Sequence, residues 1–335
     1  MKVLLFGASG QVGRALCRGP LATHELVALD RNGLVRSDAG TGQWANDLSA
    51  RAGKLCGDLA DPAGVAAAVA TVRPDVVINA AAYTAVDRAE SEPELARTVN
   101  ADGPAAIAQA AARAGAWLIH YSTDYVFDGS GSRPWREDDE PAPQSVYGAT
   151  KLLGERGIRA SGCRHVILRT SWVFGQQGGN FAATMLRLFG ERHELKVVAD
   201  QVGAPTSAEW LAALTARVLI RLDDTEGNGN GRKDAGVYGT GIHGTYHAAL
   251  AGETSWHGYA VHLLEGARAR GMRTVTRDIH AIPTADYPTP ARRPLNSRLD
   301  CAKLDAIFGF ARPDWRDAVD AWLDARAESC GRAAT

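Results

Sequence analysis

Short apolar runs alternate with alanine-rich amphipathic segments along the first half of the chain. The apolar runs are continuous, which is typical of strands covered on both faces of a sheet. They predict buried strands at residues 3–6, 25–30, 75–80, 117–122 and 165–171. The amphipathic segments between them predict helices at residues 11–19, 62–73, 91–114 and 145–161. This alternation predicts an α/β fold with a Rossmann-type, doubly wound parallel sheet.

The second half of the chain is less regular. Further helical patterns lie near residues 179–190, 207–221, 256–270 and 314–327. A length of 335 residues is typical of about two domains. We expect a Rossmann domain over residues 1–171, which also receives some later elements at about 195–221. Residues 172–330 are expected to form mainly a smaller, partly interleaved C-terminal domain for the substrate.

Two segments interrupt this pattern. Residues 31–55 are long for a single connection and lack a clear period, and residues 223–241 are rich in Gly, Asp and Asn. Both are predicted to be exposed, mobile insertions. The first could alter access to the adenosine end of a bound nucleotide, and the second is expected to lie away from the chemistry.

A glycine-rich loop, GASGQVG, joins the first predicted strand to the first predicted helix. In it, Gly7 would permit a tight turn, Gly10 a close approach to a pyrophosphate, and Gly13 close packing of the helix on the sheet. The positive end of the helix would then face the phosphates. The loop therefore predicts a dinucleotide site that also includes Gln11 and Val12. The alternative is a purely structural turn.

The end of the second predicted strand gives a mixed signal about the cofactor. Asp30 could accept hydrogen bonds from an adenosine ribose, which favours NAD, whereas Arg31 could pair with a 2′-phosphate, which favours NADP. We therefore expect either NADPH or NADH to be used. A polar turn without a ligand is the alternative. Asp58 could end the next strand near the adenine ring, with Leu59 beside it.

The segment SVYGATKLLGE contains one of only six lysines in the chain. Tyr147 and Lys151 are four residues apart, so a helix capped by Ser145 would place both on one face. An ammonium near a phenol lowers the phenol's pKa, and the tyrosine could then act as a general acid or base. The compact lysine head could also hold ribose hydroxyls, a task that the planar fork of arginine suits poorly. The alternative is a surface helix with a solvated lysine.

The position of this pair favours catalysis. It follows a predicted strand that ends in YSTDYVF, and catalytic groups of open α/β sheets collect at the carboxyl ends of strands. Thr123 could hydrogen-bond the phenol or a substrate oxygen there. Ser122 is the rival for this role, but one of two adjacent side chains should face away from the cleft.

Composition excludes several classes of function. The net charge is −1, which gives no electrostatic reason to expect nucleic acid or an anionic membrane as a partner. The five cysteines are scattered, which is typical of free thiols in a reducing compartment. The first ten residues lack the apolar stretch of a signal peptide, and no apolar run is long enough for a membrane span. We expect a cytoplasmic protein.

Taken together, these motifs resemble the extended short-chain dehydrogenase/reductase superfamily and, within it, the dTDP-4-dehydrorhamnose reductase family. The similar segments are LLFGASGQVG, RPDVVINAAAYTAVDRAESEPELA, HYSTDYVFDG, VYGATKLLGE, RTSWVFG, NFAATMLRL, DQVGAPT and AIPTADYPTPARRPLNSRLD. The resemblance implies that NAD(P)H reduces the C4 ketone of dTDP-4-dehydro-L-rhamnose to give dTDP-L-rhamnose, a precursor of cell-surface polysaccharide. It gives Tyr147 the role of proton donor, with Lys151 and Thr123 as its partners.

The same resemblance assigns further residues. Small side chains that let the cofactor lie against the backbone are Ala80, Ala81 and Ala82. Residues expected to line the sugar pocket are Thr84, Val86, Asp124 and Trp172. Residues expected near the nucleotide diphosphate are Asn180, Gln201, Arg292, Asn296 and Ser297. Arg293 is the alternative to Arg292 in this role.

The sequence departs from the family at one position. Some members place an acidic residue two positions after the third loop glycine and use it to build a magnesium site between subunits, whereas this chain has Ala15. A role for Mg²⁺ is therefore doubtful, and either a monomer or a homodimer is expected. Two other functions stay open: a nucleotide-sugar epimerase or dehydratase of the same superfamily, and a non-catalytic regulatory subunit.

Overall fold

The structure is a computed structural model that describes residues 1–21, 24–35, 55–227 and 241–332. Most of each predicted insertion, 31–55 and 223–241, lies outside the described residues. Within the four described ranges, no helix has both the length and the apolar character needed to cross a bilayer.

A mostly parallel, seven-stranded sheet forms the centre of the described fold, in the order β11-β6-β5-β4-β1-β2-β3. Its strands are β1 Lys2–Phe6, β2 Glu25–Asp30, β3 Gly33–Leu34, β4 Val76–Asn79, β5 Trp117–Thr123, β6 His165–Thr170 and β11 Gly244–His247. The five predicted strands and the α/β class are confirmed. The expectation that Asp58 ends a strand is wrong, because residues 55–58 form none. The edge beside β2 is instead closed by β3, which pairs with β2 in an antiparallel hairpin.

Helices cover both faces of this sheet. They are α1 Gln11–Arg18, α2 Pro62–Val72, α3 Val86–Ala89, α4 Pro93–Arg97, α5 Gly103–Ala114, α6 Val146–Ala160 and α8 Ala208–Gly227. The single helix predicted at 91–114 consists of α4, a π-helical turn at Thr98–Asp102, and α5. Pro104 lies in the first turn of α5, where its missing N–H interrupts the regular hydrogen-bond ladder.

The remaining elements build a smaller part beside the carboxyl edge of the sheet. Three two-stranded sheets pair β7 Val173–Phe174 with β10 Thr206–Ser207, β9 Val202–Gly203 with β12 Thr254–Ser255, and β8 Glu194–Val198 with β13 Asp278–Ile282. The helices here are α7 Phe181–Phe189, α9 Trp256–Ala269, α10 Ala302–Phe308 and α11 Trp315–Arg332. Of the segment 195–221, helix α8 packs on α1, whereas β8 pairs away from the main sheet. The proposed domain boundary stays a prediction.

Alternate residues of the central strands point into different cores. Leu5 and Ile119 belong to the core that α8 covers, whereas Leu4 and Leu118 belong to the core beneath α2 and α5. This period of two follows from strand geometry. It places His120 and Ser122 on the side of β5 that faces α6, where they contact Lys151 and Glu155.

Candidate active site

The predicted catalytic residues meet at the carboxyl end of β5. Thr123 is the last residue of that strand, and its hydroxyl caps the following 3₁₀ turn by accepting a hydrogen bond from Tyr125 N. Helix α6 begins after Ser145, whose hydroxyl accepts a hydrogen bond from Gly148 N at 3.2 Å. This cap is the one predicted from the sequence, and it fixes the start of the helix that carries Tyr147 and Lys151.

Tyr147 is half-buried and keeps its proton. Burial raises the pKa of the Tyr147 phenol to about 12, a hydrogen bond with Thr123 lowers it, and the nearby Asp124 carboxylate raises it. The expected lowering of this pKa by Lys151 is therefore not found, because burial is the largest effect and outweighs the hydrogen bond with Thr123. The ring of Tyr125 packs edge-on against Tyr147 at 5.5 Å between ring centroids. The arrangement favours a phenol that donates a proton.

Lys151 is buried, with only 2% of its surface exposed, so the alternative of a solvated surface lysine is wrong. Its Nζ donates a hydrogen bond to the carbonyl oxygen of Tyr121 at 2.7 Å and lies 3.2 Å from His120 Nε2. Burial lowers the pKa of Lys151 to about 8, although the charge of Glu155 raises it. The lysine is thus able to change its charge near neutral pH.

A buried ion pair that the sequence did not reveal supports this helix. Glu155 accepts hydrogen bonds from Arg169 Nε at 2.9 Å and Arg169 Nη2 at 2.7 Å. Its Oε1 also accepts a hydrogen bond from Ser122 Oγ at 2.6 Å. Ser122 therefore faces away from Tyr147, which leaves Thr123 as the hydroxyl at the phenol. The local signal was Arg169 within the otherwise apolar run of β6, since Glu155 lies in a helix with several other charged residues.

Asp124 lies beside Thr123 and is also buried. Burial raises the pKa of its carboxyl to about 6, while hydrogen bonds with Ser297 and Thr123 lower it. Thr123 Oγ1 donates to Asp124 Oδ1 at 3.1 Å, and Oδ2 has no hydrogen-bond partner among the described residues. The fold thereby brings together Asp124, assigned to the sugar pocket, and Ser297, assigned to the nucleotide diphosphate.

The glycine loop has the shape that a dinucleotide requires. Gly7 has a φ of +84°, and a Cβ there would lie 2.5 Å from Ala81 N. A Cβ at Gly13 would collide with the carbonyl oxygen of Gly7. Gly10 begins α1 with no side-chain cap, so the first N–H groups of this helix stay available to an anion. Gly7 thus packs directly against Ala81, and the open N–H groups at the start of α1 are the ones that fit a pyrophosphate.

Asp30 closes β2 and faces the glycine loop. Its Oδ2 accepts a hydrogen bond from Ser9 Oγ at 2.6 Å, and its Oδ1 accepts one from Asn32 N at 2.8 Å. The polar turn considered as an alternative is therefore present, and it also holds Asp30 next to the loop. Asp58 Oδ1 accepts a hydrogen bond from Ala60 N at 3.0 Å, and Leu59 is buried in the core beside it.

Trp172 stacks on Trp256 with 3.7 Å between ring centroids and 14° between planes. It has a φ of +48°, an uncommon conformation for a bulky residue, and such strain concentrates at functional sites. Among the other residues assigned to the sugar pocket, Thr84 is exposed and Val86 is half-buried.

Several residues assigned to the nucleotide diphosphate have structural partners. Asn180 caps α7 by accepting from Ala183 N, and its Nδ2 donates to Gln11 Oε1. This contact places Asn180 at the glycine loop. Gln201 bridges Thr284 and Trp256 through its amide.

The 292–297 segment contributes residues of two kinds. Asn296 is buried, and its Nδ2 donates to the carbonyl oxygens of Ser130 and Arg133. Arg293 forms an ion pair with Asp87 at 2.8 Å, whereas Arg292 is exposed and donates a hydrogen bond to Gln144 Oε1 at 3.3 Å. Of the two arginines, Arg292 is thus the one better able to contact a ligand.

An open cavity of about 640 Å³ lies elsewhere, between the 136–141 loop and the β11 edge. Its walls include Arg169 and Lys303 together with several carboxylates, but none of Thr123, Tyr147 or Lys151. It is therefore separate from the cleft that contains the predicted catalytic residues.

Comparison with known proteins agrees with this geometry. A family model described as the RmlD substrate binding domain matches residues 1–327. The dTDP-4-dehydrorhamnose reductase of Escherichia coli strain K12 is 45% identical over 325 residues, which cover 97% of each chain. A crystal structure of a Clostridium acetobutylicum dTDP-4-dehydrorhamnose reductase is 34% identical, with a TM-score of 0.77, and the match covers 97% of this chain and 99% of that one.

A second solved structure bears on the cofactor. The dTDP-4-dehydrorhamnose reductase of Bacillus anthracis, crystallised in complex with NADP, is 29% identical with a TM-score of 0.78. The match covers 97% of this chain and 100% of the Bacillus anthracis chain. With a matching family model over nearly its whole length and a relative at 45% identity, this chain belongs to the dTDP-4-dehydrorhamnose reductase family.

Proposed function

We propose that this chain reduces the C4 ketone of dTDP-4-dehydro-L-rhamnose to dTDP-L-rhamnose with NADPH or NADH. The observation that carries the proposal is the meeting of Thr123, Tyr147 and Lys151 at the carboxyl end of β5. Tyr147 there has a Thr123 partner and a raised pKa, so it holds a proton at neutral pH. Carbonyl reduction needs such a donor at a fixed position beside the ketone oxygen.

The residues of this chain would bind the cofactor and transfer the proton in the following way. When bound, the reduced nicotinamide supplies the hydride. Backbone groups of Gly7, Gly10 and Gly13 would hold the pyrophosphate, with Ala80, Ala81 and Ala82 against the cofactor. Tyr147 donates its proton to the oxygen at C4, and Thr123 orients the phenol and that oxygen. Lys151 would hold ribose hydroxyls.

The use of both cofactors rests on the residues at the end of β2. Asp30 keeps acceptor capacity for a ribose hydroxyl beside its bonds to Ser9 and Asn32. Arg31 is exposed next to it and can pair with a 2′-phosphate.

The decisive assay follows the loss of NADPH and of NADH when the purified protein meets dTDP-4-dehydro-L-rhamnose, with the sugar product identified by NMR. A reductase oxidises one cofactor per product formed. An epimerase or dehydratase would convert sugar without net oxidation, and a regulatory subunit would convert nothing. Either of the latter outcomes would overturn the proposal.

The oligomer, the metal requirement and the compartment are part of the same proposal. Thr123, Tyr147 and Lys151 all come from one chain, so a monomer and a homodimer would both be active. Ala15 offers no carboxylate for a magnesium site, and turnover should therefore survive EDTA. We place the enzyme in the cytoplasm. Light scattering, assays with and without Mg²⁺, and cell fractionation test these three statements.

A further inference from the structure

Trp172 adjoins the catalytic end of the central sheet through a series of contacts. It closely follows β6, whose last residue, Thr170, is the register partner of Thr123 on β5. A Cβ at Gly203 would lie 3.0 Å from both Trp172 Cε2 and Ser297 Cβ, so these two side chains meet at the glycine. Ser297 in turn donates a hydrogen bond to the carboxylate that follows Thr123. The Trp172 indole therefore borders the cleft that contains the predicted catalytic residues.

The backbone of Trp172 needs support from its neighbours. Its φ of +48° is uncommon for a bulky residue, and such a conformation persists only where the surrounding structure enforces it. Trp256, the first residue of α9, stacks on the Trp172 indole with 3.7 Å between ring centroids. Phe181 packs against Trp256 at 4.6 Å between centroids, so the supporting ring has a neighbour of its own. Loss of the Trp256 ring would therefore free Trp172 to leave this conformation.

Gln201 fixes the orientation of the Trp256 ring. In the antiparallel pairing of β9 with β12, Ser255 lies opposite Val202, so Gln201 and Trp256 come next to each other at the end of the pairing. An indole N–H only donates, and Trp256 Nε1 donates to Gln201 Oε1 at 3.1 Å. Gln201 Nε2 donates to Thr284 Oγ1 at 3.0 Å. Protein groups thus engage both ends of this buried amide, which favours a positioning role over the diphosphate contact that the family resemblance implied.

We propose that Trp256 and Gln201 are positioning residues that hold Trp172 as a flat apolar wall for the 6-deoxy hexose of the substrate. The inference rests on the proposed function, because a dTDP-hexose is the ligand whose sugar would meet this wall. An indole offers a large, rigid apolar face, which suits the C–H groups and the methyl group of such a sugar. The two residues therefore act on the affinity for the hexose and not on the affinity for the nucleotide.

Binding of dTDP and of dTDP-L-rhamnose separates these two affinities. Both are titrated by calorimetry in the presence of NADPH, which cannot reduce the product sugar further. We expect Trp256→Leu and Gln201→Leu each to weaken binding of dTDP-L-rhamnose by about 2–10-fold and to leave binding of dTDP unchanged. Trp210→Leu is the matched control, because this indole N–H also bonds a protein acceptor, the carbonyl oxygen of Ala311 at 3.0 Å, but has no contact with Trp172. It should bind both ligands as the wild type does.

The circular dichroism of the stacked indoles provides a test that needs no ligand. Two parallel indoles in contact couple electronically and give an exciton couplet in the far ultraviolet. Trp172→Phe and Trp256→Leu should each abolish the couplet, Gln201→Leu should weaken it, and Trp210→Leu should keep it. A couplet that is unchanged in Gln201→Leu would overturn the positioning role of Gln201.

The binding results distinguish this inference from the proposed function. Weaker binding of dTDP itself to Gln201→Leu would mean that Gln201 contacts the nucleotide directly. Unchanged binding of dTDP-L-rhamnose to Trp256→Leu would mean that the stacked pair does not wall the sugar. Either result overturns the inference and leaves the proposed function standing, whereas failure of the wild type to bind dTDP-L-rhamnose would overturn both.

Discussion

Glu155 and Arg169 form a buried ion pair between helix α6 and strand β6, through hydrogen bonds of 2.9 and 2.7 Å. Both side chains are at most 1% exposed, and the same carboxylate binds Ser122, the residue before Thr123. The pair therefore fixes the helix that carries Tyr147 against the strand that carries Thr123. Its contribution is to positioning as much as to stability.

Removing one partner should leave an uncompensated buried charge. Glu155→Gln is expected to lower the free energy of unfolding by about 3–5 kcal/mol, as measured by urea denaturation. The control is Glu191→Gln, in the exposed Arg187–Glu191 pair at 2.7 Å, which should cost no more than about 1 kcal/mol. Similar losses of unfolding free energy in the two variants would show that burial does not increase the contribution of the Glu155–Arg169 pair to stability.

Removal of the Tyr147 hydroxyl should stop proton donation while leaving the cofactor site intact. Tyr147→Phe is expected to bind NADPH nearly as the wild type does and to lose about 10²–10⁴-fold in kcat. The matched control is Tyr246→Phe, which removes a buried hydroxyl that donates to the carbonyl oxygen of Ile242 at 2.7 Å. That variant should keep its turnover per folded molecule. Near-normal turnover in Tyr147→Phe would exclude the phenol as the acid.

The site of Lys151 should reject arginine although the charge is the same. A planar guanidinium is larger and permanently charged, so it cannot be accommodated between the Tyr121 carbonyl and His120 without displacing one of them. We expect Lys151→Arg to lower kcat and weaken NADPH binding, as measured by steady-state kinetics and fluorescence titration. Lys303→Arg is the control, because Lys303 also donates to a backbone carbonyl, that of Thr245 at 2.8 Å, but is exposed. Equal kinetics in both variants would contradict the proposed role.

Asp124 should make stability depend on pH. Burial raises the pKa of this carboxyl from 3.8 to about 6, so the folded state holds a proton that the unfolded state releases between these values. The stabilisation is complete below about pH 4 and is lost as the pH rises towards 6, a difference of about 3 kcal/mol. Asp124→Asn should remove this dependence.

An acid with the opposite shift provides the control for that measurement. The hydrogen bond from Arg133 lowers the pKa of Asp139 to about 2. Its stabilisation is present above its ordinary pKa and is lost as the pH falls, so Asp139→Asn should destabilise most at neutral pH and least in acid. If Asp124→Asn instead behaved like Asp139→Asn in urea unfolding across this range, folding would lower the pKa of Asp124 and not raise it.

The sequence by itself determined the features that depend on local spacing. Continuous apolar runs located the five main strands, the cap at Ser145 located helix α6, and the four-residue spacing placed Tyr147 and Lys151 on one helix. The glycine loop was equally local, because a strand, a turn and a helix follow one another directly. These features need only the periods of strand and helix.

Only the tertiary structure decided what surrounds these residues. Asn79 and His120 are 41 residues apart and meet because β4 and β5 pair in one particular register. Glu155 and Arg169 face each other because α6 packs over β6, and Trp172 meets Trp256 across two elements. Burial by the assembled fold, and not the lysine nearby in sequence, sets the pKa of Tyr147. Desolvation and long-range partners arise only when distant segments pack, so no local pattern contains them.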